Sequence, residues 1–193
     1  YMLRQGWFVA DICYYYGDQA PNFYPPLCNV PEHPLLDGLN PGYDYDVCSS
    51  QVIMERMRVE NGRIVLPDGM SYSALVLPDQ DDIPVAVLER VRDLVADGAT
   101  VIAHQRPIRA PGLLDLERKA KAVDRLAGEL WGQESLPRPK ETHAQQAVSI
   151  RPLERGRFIV TSDRSEALRK IGVDEDFKIV GREESDLGPL DFI

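Results

Sequence analysis

Two aspartates two positions apart, Asp44 and Asp46, alternate with Tyr43 and Tyr45 in the run Pro41-Gly42-Tyr43-Asp44-Tyr45-Asp46. A second aromatic and acidic stretch lies upstream, Tyr15-Tyr16-Gly17-Asp18, with Asn22, Phe23 and Tyr24 following. Rings that stack, beside carboxylates and amides that accept hydrogen bonds, suit a sugar. Tyr43, Asp44, Tyr45 and Asp46, together with Tyr16, Asp18 and Asn22, are therefore the substrate-side candidates. Glycoside hydrolysis uses two carboxyl groups about 5–9.5 Å apart, one on each side of the bond to be broken. Acids at i and i+2 beside a helix start project in different directions and make no such pair. One of them can instead cap the following helix while the other is solvated, and both tyrosines can be packing residues. No catalytic residue is assigned within the chain.

Other familiar chemistry is missing from the pattern. There is no phosphate-binding Gly-x-x-x-x-Gly-Lys loop, and no Gly-x-Gly-x-x-Gly follows the first strand. The turn after Ala103 reads His104-Gln105-Arg106-Pro107, without the serine or cysteine of a nucleophile elbow. Cys48 has no flanking glycines and reads as buried filler. His33, His104 and His143 are scattered, without metal-ligand spacing, so no metal site is expected in this chain. Arg106 and Arg109 can grip a carboxylate or simply be solvated.

Stepping from these residues to the elements that hold them, the apolar run Phe8–Tyr14 predicts a strand buried on both faces, as in a parallel sheet. A loop over 17–42 follows, broken by Pro21, Pro25, Pro26, Pro31, Pro34 and Pro41. It is far longer than the usual strand-to-helix connection of roughly 2–6 residues. Tyr43 to Asp46 then open a helix, capped by Asp44 or Asp46, whose apolar stripe is Val47, Ile53, Met54 and Met57. Asn61-Gly62 between β-prone runs signals a hairpin, and Pro67-Asp68-Gly69 a turn. Ala74–Leu77 and Thr100–Ala103 are strands, joined by a helix with Asp82 as cap, Val85, Leu88, Val91, Leu94 and Val95 inward, and Gly98 as stop. Such a βαβ unit crosses over right-handed. Leu113–Trp131 is helical, 133–146 a surface loop, Arg157–Val160 a strand, Asp163–Ile171 a short helix capped by Asp163, and Phe177–Val180 a late strand. The fold class is α/β: an open, mostly parallel sheet with helices on both faces and one antiparallel excursion, the Asn61-Gly62 hairpin.

The 193 residues suffice for a single α/β domain with a proper core. Lys plus Arg number 22 against 31 Asp plus Glu, a formal charge of −9 that repels phosphate backbones and anionic membranes. No apolar run approaches the roughly 18 residues of a membrane span. Nucleic acid and membrane are therefore not expected as partners. Cys13, Cys28 and Cys48 make no disulfide framework. Tyr1 to Gln5 reads as the tail of a preceding helix stopped by Gly6, so the chain is expected to be a fragment of a larger protein.

Several of these runs, taken in order, carry a resemblance. They are Tyr1-Met2-Leu3-Arg4-Gln5-Gly6, Tyr15-Tyr16-Gly17-Asp18-Gln19-Ala20-Pro21-Asn22, Gly42-Tyr43-Asp44-Tyr45-Asp46, Leu66-Pro67-Asp68-Gly69-Met70-Ser71-Tyr72 and Leu75-Val76-Leu77-Pro78-Asp79. Together they resemble the bacterial α-L-rhamnosidases of glycoside hydrolase family 106, densest before Gly98. The resemblance implies the open α/β domain that follows a catalytic (β/α)₈ barrel and precedes β-sandwich domains, all of one chain. It implies an inverting parent enzyme that removes terminal α-L-rhamnosyl residues from plant or bacterial glycans and is associated with calcium; the compartment stays open, with periplasm or secretion favoured over cytoplasm for such a bacterial parent. The family's catalytic glutamates belong to the barrel, so none is transferred to Glu32, Glu55 or Glu60. The architecture is also similar to the middle domain of family 42 β-galactosidases and to the flavodoxin-like and class I glutamine amidotransferase-like folds. Those likenesses leave two alternatives: an interaction or oligomerisation domain of another glycosidase, and a free-standing small-molecule-binding protein.

Overall fold

The computed structural model describes residues 9–18, 39, 42–132 and 148–176. Its main sheet has six strands: β1 Ile12–Tyr15, β2 Tyr45–Cys48, β6 Ala74–Val76, β7 Thr100–Ala103, β8 Ser149–Leu153 and β9 Gly156–Val160. They lie in the order β2-β1-β6-β7-β9-β8, parallel throughout except for β8 against β9. A smaller antiparallel sheet of three strands, β3 Arg58–Glu60, β4 Arg63–Val65 and β5 Ser71–Tyr72, interrupts the chain before β6. The helices are α1 Ser50–Glu55, α2 Val85–Asp97, α3 Leu116–Trp131 and α4 Arg164–Lys170.

The near-continuous apolar strands are explained by cover on both faces. Cys13, Tyr15, Leu75, Val101, Phe158 and Val160 join one core with Ile53 of α1, the inner stripe of α2, and Val123, Leu126 and Leu130 of α3. The alternate residues Ile12, Ala74, Val76, Ile102 and Ile159 join the opposite core, with Tyr43 and with Ala167 and Leu168 of α4. The period-2 alternation of a strand thus divides each strand between two layers. α2 ends at Gly98, whose φ of 118° is the left-handed conformation that closes the helix. The β3–β4 turn has φ of 53° at Asn61 and 77° at Gly62, as a two-residue hairpin demands.

Some expectations need correcting. Tyr43 to Asp46 do not open a helix: Tyr45–Cys48 is an edge strand parallel to β1, and α1 starts after Ser49. Neither Asp44 nor Asp46 is therefore its cap. Met54 and Val47, expected on the inner stripe, are 41% and 38% exposed, while Ile53 and Met57 are buried. The Asn61-Gly62 hairpin is not the single antiparallel excursion, since β4 pairs with β5 and β8 with β9 in that sense too. α2 begins after Pro84, not at an Asp82 cap, and Asp82 bridges to Arg109 instead. α3 begins at Leu116, three residues later than its apolar pattern suggests. β1 spans Ile12–Tyr15, with the described Val9, Ala10 and Asp11 outside it, and Phe8, expected to start the strand, lies outside the described residues. The expected helix tail over 1–6, the loop over 133–146 and the strand Phe177–Val180 lie outside the described residues.

Candidate functional site

In a parallel sheet the carboxyl ends of the strands share one edge, and ligand crevices of open α/β sheets form there. Here that edge collects the turns after β1, β6, β7 and β9. Asp79, just past β6, is their hub. Its Oδ2 accepts from Arg164 Nη2 at 3.0 Å and lies 3.6 Å from His104 Nδ1, and its Oδ1 accepts from the Gln105 N–H at 3.3 Å. Arg164 is 3% exposed, so its guanidinium sits in a poorly solvated place where an ionic partner is required. Burial pushes the Asp79 carboxyl up, but the hydrogen bond from His104 and the charge of Arg164 outweigh it and hold the acid below its ordinary value. Gln105 Nε2 donates to Asp81 Oδ1 at 2.6 Å, joining the turns after β6 and β7 a second time.

The turn after β1 is built from a different set. Tyr15 OH donates to Asp18 Oδ2 at 3.0 Å, and Ser50 Oγ of α1 to Asp18 Oδ1 at 3.1 Å. Burial, then the charge of Asp18, raises the Tyr15 phenol well above its usual value, so it stays a donor. Gly17 has a φ of 85°, and a Cβ there would run into the Gln80 side chain. Gln80 uses the space, its Nε2 donating to Tyr16 O at 3.2 Å, while its Oε1 is buried without a hydrogen-bond partner among the described residues. β1 and β6 are also where the connections reverse direction across the sheet, the position at which such crevices open.

The sequence-derived candidates divide between two ends of the sheet. Tyr16 and Asp18 stand on the carboxyl edge. Tyr43, Asp44 and Tyr45 enter β2 at its amino end, because β2 runs parallel to β1 with Tyr45 opposite Ile12. Tyr43 is 4% exposed and its OH donates to Val173 O at 3.2 Å, which ties it to the segment after α4. Asp44 is exposed, and its carbonyl accepts from Asp11 N at 3.1 Å. Asp46 lies within β2 and its Oδ2 accepts from Tyr72 OH at 2.9 Å, fastening the small sheet to the edge strand. Asn22 lies outside the described residues. The structure therefore brings Tyr16 to Asp18 but not to the Tyr43–Asp46 run.

Asp79, Gln80, Asp81 and Arg164 were not singled out for chemistry in the sequence. For Asp79 a signal was available: an acid directly after the buried run Leu75-Val76-Leu77-Pro78 stands where a parallel strand delivers its crevice residue. An imidazole held by a carboxylate can serve as a base, but here the carboxylate is shared with a buried guanidinium and works as a tie between strands. Among the described residues no group of three or more His, Cys, Asp or Glu is placed to hold a metal ion. No described helix is long and apolar enough to cross a membrane.

The sequence profile of glycoside hydrolase family 106, described as alpha-L-rhamnosidase, matches residues 1–189. A protein of Formosa agariphila carrying the provisional name beta-glucuronidase is 37% identical over 133 residues, which cover 69% of this chain and 11% of that protein. The solved rhamnosidase from Novosphingobium sp. PP1Y superposes with a TM-score of 0.71 at 24% identity, over 95% of this chain and 16% of that one, and shows the shared fold. The chain thus spans a small part of the length of the relatives it matches. With the profile matched over nearly its whole sequence, this α/β chain belongs to glycoside hydrolase family 106, the α-L-rhamnosidase family.

Proposed function

We propose that the chain is an accessory, non-catalytic domain of an α-L-rhamnosidase that removes terminal α-L-rhamnosyl residues from glycans. One observation carries the reading. The acids gathered at the carboxyl edge are already engaged within the protein: Asp18 with Tyr15 and Ser50, Asp79 with Arg164, His104 and Gln105, and Asp81 with Gln105. A general acid needs a raised pKa, whereas Asp79 is held low. Hydrolysis then belongs to a separate catalytic domain, with β-sandwich domains beyond it, and calcium, if the parent enzyme uses it, is held there. The order of the parallel strands, with β1 between β2 and β6, supports a flavodoxin-like assignment.

Of the substrate-side candidates, Tyr16 and Asp18 form the group on the crevice edge. Tyr43, Asp44, Tyr45 and Asp46 reach sugar only from the amino end of β2. The test is the complete enzyme on an aryl α-L-rhamnoside, with Asp18→Asn, Asp44→Asn, Asp46→Asn and Asp79→Asn compared in kinetics and melting temperature. Loss of one charged hydrogen bond to substrate is expected to lower kcat/KM roughly 10- to 150-fold, from about 1.5–3 kcal/mol. A fall in kcat of roughly 10²–10⁴ at unchanged stability, the signature of a lost acid or base, would overturn the non-catalytic reading.

A further inference from the structure

The loop between β7 and α3, residues 104–115, is pinned along its length yet turns apolar side chains outward. Ile108 and Arg109 donate their N–H groups to Asp81 O at 2.8 and 3.2 Å, and Arg109 O accepts from Ile83 N at 3.2 Å. Lys119 Nζ donates to Pro111 O at 3.1 Å, and Arg106 pairs with Asp124 at 2.8 Å. On this fixed frame Leu113 is 88% exposed, Leu114 77%, Leu116 56% and Ile108 46%. The stripe of α3 extends the same surface. Leu116, Ala120, Val123, Ala127 and Leu130 follow helical spacing, but Leu116 and Ala120 are exposed and burial starts at Val123. A groove of about 340 Å³ opens alongside, lined by the apolar Pro84, Val85, Ala110, Pro111 and Ala122 and by the charged Asp115, Arg118 and Lys119. Single exposed leucines need no explanation. Consecutive ones on a pinned loop, continuous with a helical stripe and beside this groove, mark a contact surface.

We propose that this face, centred on Leu113, Leu114 and Leu116, is where another domain of the same polypeptide docks, through an apolar surface rimmed by carboxylates. Charge and chain length identify the occupant. The chain is formally −9, but residues 104–124 hold Arg106, Arg109, Arg118, Lys119 and Lys121 against Asp115, Glu117 and Asp124. That local excess of positive charge favours an acidic partner. A second copy of the chain in a two-fold contact brings the same basic rim against itself and is repelled. The chain is 16% of the length of the solved rhamnosidase it matches. A domain tethered in the same polypeptide meets the face at high effective concentration. The proposal rests on the accessory-domain reading for its occupant, but its readout does not use activity.

The test is Leu113→Cys in the complete enzyme, labelled with a maleimide and followed by peptide mass spectrometry, with the urea-unfolded enzyme as reference. Because Leu113 is exposed, the substitution leaves folding intact. Labelling at position 113 is expected to be at least about tenfold slower in the folded enzyme, since a covered site reacts only on opening, and to be independent of enzyme concentration. Adding Arg118→Glu is expected to speed it severalfold by setting carboxylate against carboxylate. Labelling at the unfolded rate overturns the proposal, as does protection lost on dilution, which assigns the face to a second copy. No response to Arg118→Glu overturns the acidic partner. A catalytic residue found within the segment would remove the accessory reading while leaving the labelling result in place.

Discussion

Asp11 shows how a single side chain can be held at a cost. Its Oδ2 is buried without a hydrogen-bond partner among the described residues. Burial, then Asp176, raises its pKa, with Asp44 adding to the effect and Arg63 opposing it. A carboxyl whose folded pKa lies above its unfolded value of 3.8 destabilises the charged protein. Folding becomes more favourable as pH falls through the folded pKa, and the gain is complete below the unfolded one. Asp11→Asn is therefore expected to raise the melting temperature at neutral pH, with the advantage shrinking as the pH approaches 3.8; a constant offset at every pH would refute the linkage. Asp79 has the opposite sign. Its lowered pKa contributes stability above 3.8 that is lost as pH falls through the still lower folded value. The Tyr72–Asp46 hydrogen bond is tested by Tyr72→Phe. Loss of a donor to a charged acceptor is expected to destabilise the protein by about 1–3 kcal/mol in urea unfolding, with kcat/KM of the complete enzyme unchanged if Asp46 is only a brace.

At the scale of elements, what was legible depended on how local the determining interaction is. The β6–α2–β7 unit could be read because its apolar runs, its 3.6-residue stripe and the Gly98 stop all lie within one stretch. The Asn61-Gly62 turn could be read because positive φ is written into those residue types. β2 could not: Tyr45-Asp46-Val47-Cys48 is short and half polar, and its partner β1 lies across the long loop. Its acids look like caps unless the Tyr72 contact is known. β8 was hidden by Pro152 and by its mostly exposed side chains, both of which an edge strand tolerates. For the candidate site, composition drew attention to Tyr16 and Asp18, whose place at the carboxyl edge depends on the β1 register, whereas the Asp79–Arg164 tie spans 85 positions and has no sequence signature. The β8–β9 hairpin offers a test of close packing. A Cβ at Gly156 would collide with the backbone carbonyls of Val95 and Ala99 at the end of α2. Backbone cannot swing aside, so Gly156→Ala is expected to cost about 1–3 kcal/mol. An unfolding midpoint equal to that of the parent would show that the hairpin can shift off α2.

For the whole molecule, the order in which strands neighbour one another has a consequence in time. The β6–α2–β7 unit closes on itself within residues 74–103. β2 is instead an edge strand that pairs only with β1 in the described sheet, and β1 must itself close onto β6 across everything between Tyr15 and Ala74. Loop closure has to be met before such a distant pair rewards it, so distant pairs tend to form late. The central strands β6 and β7 with α2 are therefore expected to form the folding nucleus, and β2 to join near the end. Truncating Leu88 of α2 to Ala should slow refolding nearly in proportion to the stability it removes, a φ-value of about 0.5–0.8. Truncating Cys48 of β2 to Ala should leave refolding almost unchanged and speed unfolding instead, with φ near zero, provided each change exceeds about 0.6 kcal/mol. If Cys48→Ala slows refolding as much as Leu88→Ala does, the edge strand is already in place at the transition state. In the expected order, β2 with its Tyr43–Asp46 run is the first part of the sheet to come loose when the domain opens.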